Sequence, residues 1–414
     1  MQWRLPVQNE LLRHTGIVFT GMLAVHLLNL LFQMAVSRAL PAAEYALLAA
    51  FLGFLMIVQH PLTTLTTALS RYSQLLVQAG RAGDIKRLLI KWLLLTGLPA
   101  LALGSFLAAG HRLVMGWLHL DRPEPVLVAG LILPALFWAA VLNGAGQGLQ
   151  LFKWCAAAAA SGALLRLLLG AGLVWFWVPA CGWAMLGHGV GLYTAVAVLA
   201  IGCYWTLCRA PRSQETLPHL RQFMAQGLLV QLAFAVLMTA DVILVKHFVP
   251  TDTEFAYAAT LGRLVVFLPS AIVPAMFPKV VAHGTGTTDQ ERVFQQAFRW
   301  TLAFVVASVV AVAGLARPLA LILFGINDPS LYLIRLIQAM AAVMGLTALL
   351  NILLHYHLAQ RRFAPTWPVV GCAAAYLGAS FIFHATAWAI VAAAATTHAV
   401  ATVVLWYSCC SRAR

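Results

Sequence analysis

Long apolar stretches separated by short polar segments dominate the chain. A helix needs about 20 apolar residues to cross the hydrocarbon core of a bilayer, and twelve stretches are close to that length. The pattern therefore predicts an all-α polytopic membrane protein. The predicted spans are 15–37, 44–68, 92–110, 126–149, 155–177, 183–208, 223–246, 256–278, 300–316, 331–357, 365–383 and 387–407.

Composition supports this fold class and excludes others. Of the 414 residues, 62% are hydrophobic and 9% are charged, whereas soluble domains have about 45–50% apolar and about 25% charged residues. A water-soluble surface cannot be built from this chain, and disordered segments are poor in apolar residues. The segments between spans are too short for a soluble catalytic domain, and no phosphate-binding P-loop sequence occurs. We therefore expect a protein that is not an enzyme and does not hydrolyse ATP.

Basic residues indicate the orientation. The chain has 26 Lys and Arg against 12 Asp and Glu, and cytoplasmic loops of membrane proteins carry an excess of Lys and Arg. With both termini inside, eighteen of the 26 fall on the cytoplasmic side and four in the opposite loops. The sequence predicts a multi-pass membrane protein with both termini in the cytoplasm. This distribution accounts for most of the positive charge without a nucleic-acid partner.

The two halves of the chain resemble each other. The same offset of 208 positions separates Arg38 from Lys246, Asn143 from Asn351, and Lys153 from Arg361. Six spans per half give a parallel repeat, which is typical of transporters. We predict an N-terminal six-helix bundle over 1–212 and a C-terminal six-helix bundle over 213–414.

Several ionisable and polar side chains lie inside the predicted spans, where insertion costs about 2.5–3.5 kcal/mol for each charge. Asp241 is the only acid well inside a span, and Arg166 lies in the middle of the fifth. We expect such residues to line a wet cavity or to pair with each other. Lys246 and Arg335 lie nearer the interface, where their charged ends reach water more easily. The first span also carries one polar face, formed by His26, Asn29, Gln33 and Ser37.

Cysteine and histidine give no sign of a metal centre. The seven cysteines lie in or beside apolar runs, without a C-x-x-C motif or a histidine at ligand spacing. We expect no metal site, no cofactor and no catalytic residues.

Three segments carry a resemblance to a known family. Ser37–Ala46 resembles the exit of span one in polysaccharide and O-antigen exporters of the multidrug/oligosaccharidyl-lipid/polysaccharide exporter superfamily. Leu142–Gln150 resembles the end of span four of these proteins. Asp241–Phe248, together with Arg263 and the later Phe277-Pro278-Lys279, is similar to the signature of the second half.

The resemblance implies two pseudo-symmetric six-helix bundles around a central cavity that opens alternately to each side. It implies a flippase of the bacterial inner membrane that moves a polyprenyl-pyrophosphate-linked oligosaccharide from the cytoplasmic to the outer leaflet. Arg38, Lys246 and Arg263 are the matching candidates for holding the pyrophosphate, and Arg166 is a further candidate on its position alone. His26, Asn29 and Gln33 are candidate contacts to the glycan, and Asp241 is the candidate for coupling to an ion.

Alternatives remain open at this level. One is an ion-coupled drug or metabolite antiporter of the same superfamily. Another is a membrane-embedded glycan polymerase, ligase or glycosyltransferase, although the short outer loops lack the grouped acids that such enzymes need. The expected partners are the lipid-linked glycan, membrane lipids, and the glycosyltransferases and polymerase of a polysaccharide pathway.

Overall fold

The first half of the chain folds into long helices joined by short turns. The structure is a computed structural model, and it describes residues 7–208, 221–270, 272, 276, 288–360 and 362–410. Within these residues there is no β-strand. The helices of the first half are α1 (Val7–Ala39), α2 (Ala42–Gln78), α3 (Ala82–Ala109), α4 (His111–Leu118), α5 (Glu124–Gly148), α6 (Phe152–Leu165), a π-helix (Arg166–Ala171), α7 (Gly172–Phe176) and α8 (Cys181–Leu207).

The second half repeats this order among its described residues. Each half has three long helices, then one short helix of eight or nine residues, then three further long segments. In the first half, α6, the π-helix and α7 together form one such segment. The helices of the second half are α9 (Arg221–Phe248), α10 (Glu254–Ser270), α11 (Thr288–Gly314), α12 (Ala316–Phe324), α13 (Leu331–Ala359), α14 (Trp367–Ile382) and α15 (Ala387–Cys410).

Local signals explain where several helices end. Gly80 after α2 and Gly325 after α12 have φ angles of 71° and 74°, a left-handed conformation that glycine adopts without steric cost. Pro41 precedes the first residue of α2, where its fixed φ suits the start of a helix. At the start of α13, the Ser330 hydroxyl accepts a hydrogen bond from the Leu333 N–H at 2.9 Å.

The predicted membrane fold is confirmed. Among the described residues, nine helices are long and apolar enough to cross a membrane, and every one of the twelve predicted spans overlaps a long helix. The apolar segments of the other three are shorter: Leu23–Ala39 within α1, Glu254–Ser270 and Trp367–Ile382. Large apolar side chains cover the outer surface, including Phe106 at 77% exposure. The end of the eighth predicted span, 273–278 apart from Met276, lies outside the described residues.

The described helices group into two compact units. The first takes in the described residues up to 44 and from 62 to 208, together with the first turn of α9 up to 224, and the second takes in 45–61 and the described residues from 225 onward. The first part of α2 thus belongs to the second unit, a feature that the sequence did not predict. Its cause is packing: the Tyr45 ring stacks on the Tyr257 ring at a centroid distance of 4.7 Å. The predicted boundary between residues 212 and 213 lies outside the described residues and stays a prediction.

Glycines allow close helix packing within the first unit. A Cβ on Gly144 would lie 2.7 Å from the carbonyl oxygen of Thr66, and one on Gly148 would lie 2.5 Å from that of Ser70. The backbones of α5 and the second part of α2 therefore approach closely, as small residues permit in membrane helices. The Thr66 hydroxyl strengthens this contact by donating to the Ala140 carbonyl at 3.1 Å.

Candidate functional site

Arg166 is the centre of a polar cluster inside the first unit. Its Nη1 donates a hydrogen bond to Oδ1 of Asn29 at 3.1 Å. Its guanidinium carbon lies 4.1 Å from the centroid of the Phe32 ring, a cation–π geometry. Its Nε is buried and has no hydrogen-bond partner. Arg166 and Asn29, both predicted as substrate contacts, are therefore brought together.

The local backbone explains how Arg166 fits beside its neighbours. It begins the π-helix Arg166–Ala171, and π-helical segments frequently occur at functional sites. A Cβ on Gly191 of α8 would lie 3.1 Å from the Arg166 backbone nitrogen, and one on Gly170 would lie 2.8 Å from Cε2 of Phe32. The absence of side chains at these glycines lets α1, the π-helix and α8 pack around the arginine.

The charge of Arg166 has no acidic counter-group in the described part of the chain. The two ion pairs seen there are Arg81 with Asp84 and Arg263 with Asp241. The Asn29 amide and the Phe32 ring offset part of the desolvation cost but carry no negative charge. Arg166 is half-buried. A guanidinium with an unused, buried N–H is suited to hold an anion through charge-assisted hydrogen bonds.

His188 on α8 is a member of this cluster that sequence reasoning missed. Its Nδ1 is buried and has no hydrogen-bond partner, and the side chain lies within electrostatic range of Arg166. In the sequence His188 has no acidic or cysteine neighbour at helical spacing, and only the packing of α8 beside the π-helix reveals the relationship. Its unpartnered ring nitrogen makes it a candidate second polar group beside Arg166.

Asp241 and Arg263 form an ion pair inside the second unit. Asp241 lies on α9 and is 2% exposed, while the side chain of Arg263 on α10 is 14% exposed. Asp241 Oδ2 and Arg263 Nε are buried and have no hydrogen-bond partner. Because the carboxylate offsets the guanidinium charge, Arg263 offers an anion less attraction than the sequence alone suggested.

Two further residues surround this pair and were not predicted. Tyr376 on α14 is fully buried and lies within electrostatic range of both Asp241 and Arg263. His398 on α15 packs edge-on against the Tyr376 ring at 6.3 Å, and its Nε2 lies 3.0 Å from the Leu237 carbonyl. Both residues lie more than a hundred positions after Asp241 and Arg263 in the sequence. Their place beside the ion pair therefore cannot be predicted from local spacing.

The remaining predicted site residues lie on α1 and α9. Arg38 is exposed in the last turn of α1, and His26 is exposed earlier on the same helix. Gln33 is half-buried on α1, and Lys246 is half-buried in the last turn of α9. Each takes part in at least one polar, ring or electrostatic interaction. Their roles in substrate binding stay predictions.

No arrangement typical of a metal centre is seen in the part of the chain that the structure describes. No group of three or more His, Cys, Asp or Glu side chains there could hold an ion. In the described part of the chain, six cysteines are present without a disulfide, and Cys181 and Cys203 are buried.

Comparison with known proteins identifies the fold. The chain is similar to a MATE family multidrug resistance transporter of the MOP superfamily in its inward-facing conformation, with a TM-score of 0.69, 15% identity and coverage of 92% and 93% of the two chains. The outward-facing conformation of such a transporter gives a TM-score of 0.68 at 14% identity, covering 97% and 94%. A MOP superfamily transporter from Pyrococcus furiosus, described as having a binding pocket of reverse polarity, gives 0.66 at 16% identity, covering 97% and 94%.

These similarities extend over nearly the whole chain and concern its architecture. The chain has the fold seen in MATE family transporters of the MOP superfamily. No family model matches the sequence, and no curated protein matches it. At 14–16% identity the likeness is one of fold.

Proposed function

We propose that this chain is a membrane transporter that works by alternating access. The support is the fold, which it shares with transporters solved in both inward-facing and outward-facing conformations. A chain with this architecture exposes a binding site first to one side of the membrane and then to the other. No covalent bond of the substrate is made or broken.

The environment of Arg166 is the observation that bears most directly on the substrate. It offers a half-buried positive charge and an unused, buried N–H, with a neutral amide as its side-chain hydrogen-bond acceptor. Asp241, the acid predicted deep within a span, is already paired with Arg263. A cationic drug would need unpaired buried carboxylates, so this distribution of charge favours a substrate with an anionic group.

Two kinds of anionic substrate fit this site. The first is a drug or metabolite carried by an ion-coupled antiporter, and the multidrug transporters among the similar structures favour it. The second is a lipid-linked oligosaccharide, whose pyrophosphate would lie at Arg166 and whose glycan would contact polar residues of α1. We take the antiporter as the leading candidate and the lipid-linked oligosaccharide flippase as the second.

Asp241 is the proposed coupling residue in either case. A proton or cation that reaches its carboxylate has to compete with Arg263. Binding of the ion would therefore release Arg263 from the pair, and loss of the ion would restore it. This exchange links the charge state of the second unit to the transport cycle.

A reconstituted transport assay tests the proposal. The purified chain in liposomes should move an anionic amphiphilic dye across the membrane, and Arg166→Gln should abolish most of that movement. Arg112→Gln, an exposed arginine on α4, is the matched control and should transport normally. A parallel assay with a fluorescent polyprenyl-pyrophosphate oligosaccharide separates the two candidates. Equal activity of Arg166→Gln and the unmodified chain toward both substrates would refute the site.

A further inference from the structure

One face of α11 combines basic, amide and aromatic side chains beside a cavity of about 550 Å³. The six lining residues follow one another at steps of three, one, three, one and three positions, which places them on a single side of a helix. They are Arg292, Gln295, Gln296, Arg299, Trp300 and Ala303.

This polar face changes into an apolar surface farther along the same helix. Trp300 is 58% exposed, and beyond it Leu302, Val306 and Val310 are 41%, 54% and 66% exposed. Tryptophan is enriched at the level of lipid headgroups, and exposed aliphatic side chains suit the acyl region. The order of side chains along α11 therefore matches the order of chemistry in a phospholipid leaflet.

From this order we infer that the α11 face binds an anionic phospholipid. The guanidinium groups of Arg292 and Arg299 contact the headgroup phosphate, whose negative charge is not neutralised by a headgroup cation. The amides of Gln295 and Gln296 hydrogen-bond to ester and glycerol oxygens, and the acyl chains lie along the surface beyond Trp300. The two arginines are seven residues apart, or about 10 Å along a helix axis, which a glycerophospholipid headgroup spans.

The local charge favours an anion over a zwitterion. Within the described residues Arg299 forms no ion pair with a carboxylate, and the positions between the arginines on this face are neutral amides. The nearest acid in sequence, Glu291, lines a different cavity with Tyr356 and His357. A headgroup with a net negative charge therefore meets the positive charge of Arg299 on this face.

The first unit carries the same arrangement independently. Near the start of α3, Lys86, Arg87 and Lys91 are exposed. They are followed by exposed Leu94 and Leu98 at 59% and 64%. Helices α3 and α11 are the third long helices of the two halves, so the combination of a basic end with an apolar continuation occurs twice.

Native mass spectrometry of the full chain tests the inference, with phosphatidylglycerol as the anionic probe and phosphatidylcholine as the zwitterionic one. Each Lys or Arg near an anionic surface strengthens binding by about fivefold. Arg292→Gln combined with Arg299→Gln should weaken one bound phosphatidylglycerol by about 25-fold and leave phosphatidylcholine unchanged. Arg112→Gln combined with Arg317→Gln removes two exposed arginines from α4 and α12 and should change neither.

Two further measurements test whether the charge of the arginines is responsible for binding. Arg292→Lys combined with Arg299→Lys preserves the charge and should retain binding, and raised salt should weaken binding to the unmodified chain. These two measurements decide the matter if the glutamine variant does not fold. Equal affinity for the two lipids, or equal loss in the α4/α12 control, overturns the inference. Full displacement of phosphatidylglycerol by inorganic phosphate also overturns it, because the site would then recognise phosphate without its lipid.

Discussion

Arg263 on α10 forms an ion pair with Asp241 on α9, 22 positions earlier in the chain. Asp241 is almost completely buried, so its charge depends on this one guanidinium for compensation. Removing one partner of a buried pair strands the other charge, whereas removing both can be nearly neutral.

Arg263→Gln should therefore lower the free energy of unfolding by about 3–5 kcal/mol. The double variant Arg263→Gln with Asp241→Asn should recover most of that loss, because no unpaired charge remains. Thermal unfolding of the detergent-purified proteins measures both. A double variant as unstable as Arg263→Gln alone would show that the pair does not act as a unit.

Arg166→Gln should behave differently. It strands no carboxylate among the described residues. It removes a charge-assisted hydrogen bond to a neutral amide and one cation–π contact, worth about 2 kcal/mol each. We expect membrane abundance close to normal and at least a tenfold loss of transport. Immunoblotting of membranes beside the liposome assay separates the two effects, and a variant absent from the membrane would contradict the expectation.

Gly144→Ala should destabilise the first unit by about 1–3 kcal/mol, the usual cost of overpacking. Its Cβ would lie 2.7 Å from the Thr66 carbonyl oxygen and 2.9 Å from Leu69 Cβ, and backbone cannot move aside easily. Gly378→Ala on α14 is the matched control, since nothing lies within 4 Å of its Cβ position. The control should be neutral or slightly stabilising, because alanine favours a helix by about 1 kcal/mol over glycine. Similar unfolding temperatures for the two variants would argue against the close approach of α2 and α5.

Tyr45 offers a graded test of the attachment of α2 to the second unit. Its hydroxyl lies 3.0 Å from that of Thr260, and its ring is fully buried. Tyr45→Phe removes the hydrogen bond and should cost about 1 kcal/mol. Tyr45→Ala also removes the buried ring and should cost about 3–5 kcal/mol, as for other large aromatic truncations. Urea unfolding curves compare the two, and equal losses would mean that the ring contributes little.

The predicted orientation is open to a direct test. If both termini are cytoplasmic, green fluorescent protein fused after residue 414 should fluoresce in a bacterial host. Alkaline phosphatase fused at the same position should be inactive, because it requires the periplasm. The reverse pattern would place the carboxyl terminus outside and would contradict the assignment made from Lys and Arg.

The membrane fold was predictable because hydrophobic length is a property of consecutive residues. Every predicted span overlaps a long helix, and the short helices α4 and α12 occupy equivalent places in the two halves. The position of Arg166 inside a span was also evident from its apolar neighbours. That position alone indicated that the residue needs a partner or a ligand.

The partners themselves were not predictable. Asn29 lies 137 positions from Arg166, and its amide could have faced any of several helices. Similarly, Asp241 pairs with Arg263 on the following helix, and the nearer Lys246 lies one turn farther along α9. His188 is part of the Arg166 cluster, and Tyr376 is part of the Asp241–Arg263 cluster, only because of the way their helices pack. That packing depends on the small residues of neighbouring helices and leaves no local pattern in the sequence.

The π-helix at Arg166–Ala171 makes one position in the chain unusually tolerant of a change in length. Its hydrogen bonds reach one residue farther than those of an α-helix. The π-helical turn therefore contains one residue more than an α-helical turn in the same place would. Loss of one residue between Leu167 and Ala171 would let the turn relax into an α-helix. Elsewhere in a helix the same loss would rotate every later side chain by about 100°. Arg166 is thus the first residue of the segment of this span that could lose a residue during evolution. After such a loss, the remainder of the helix would still face the same neighbours.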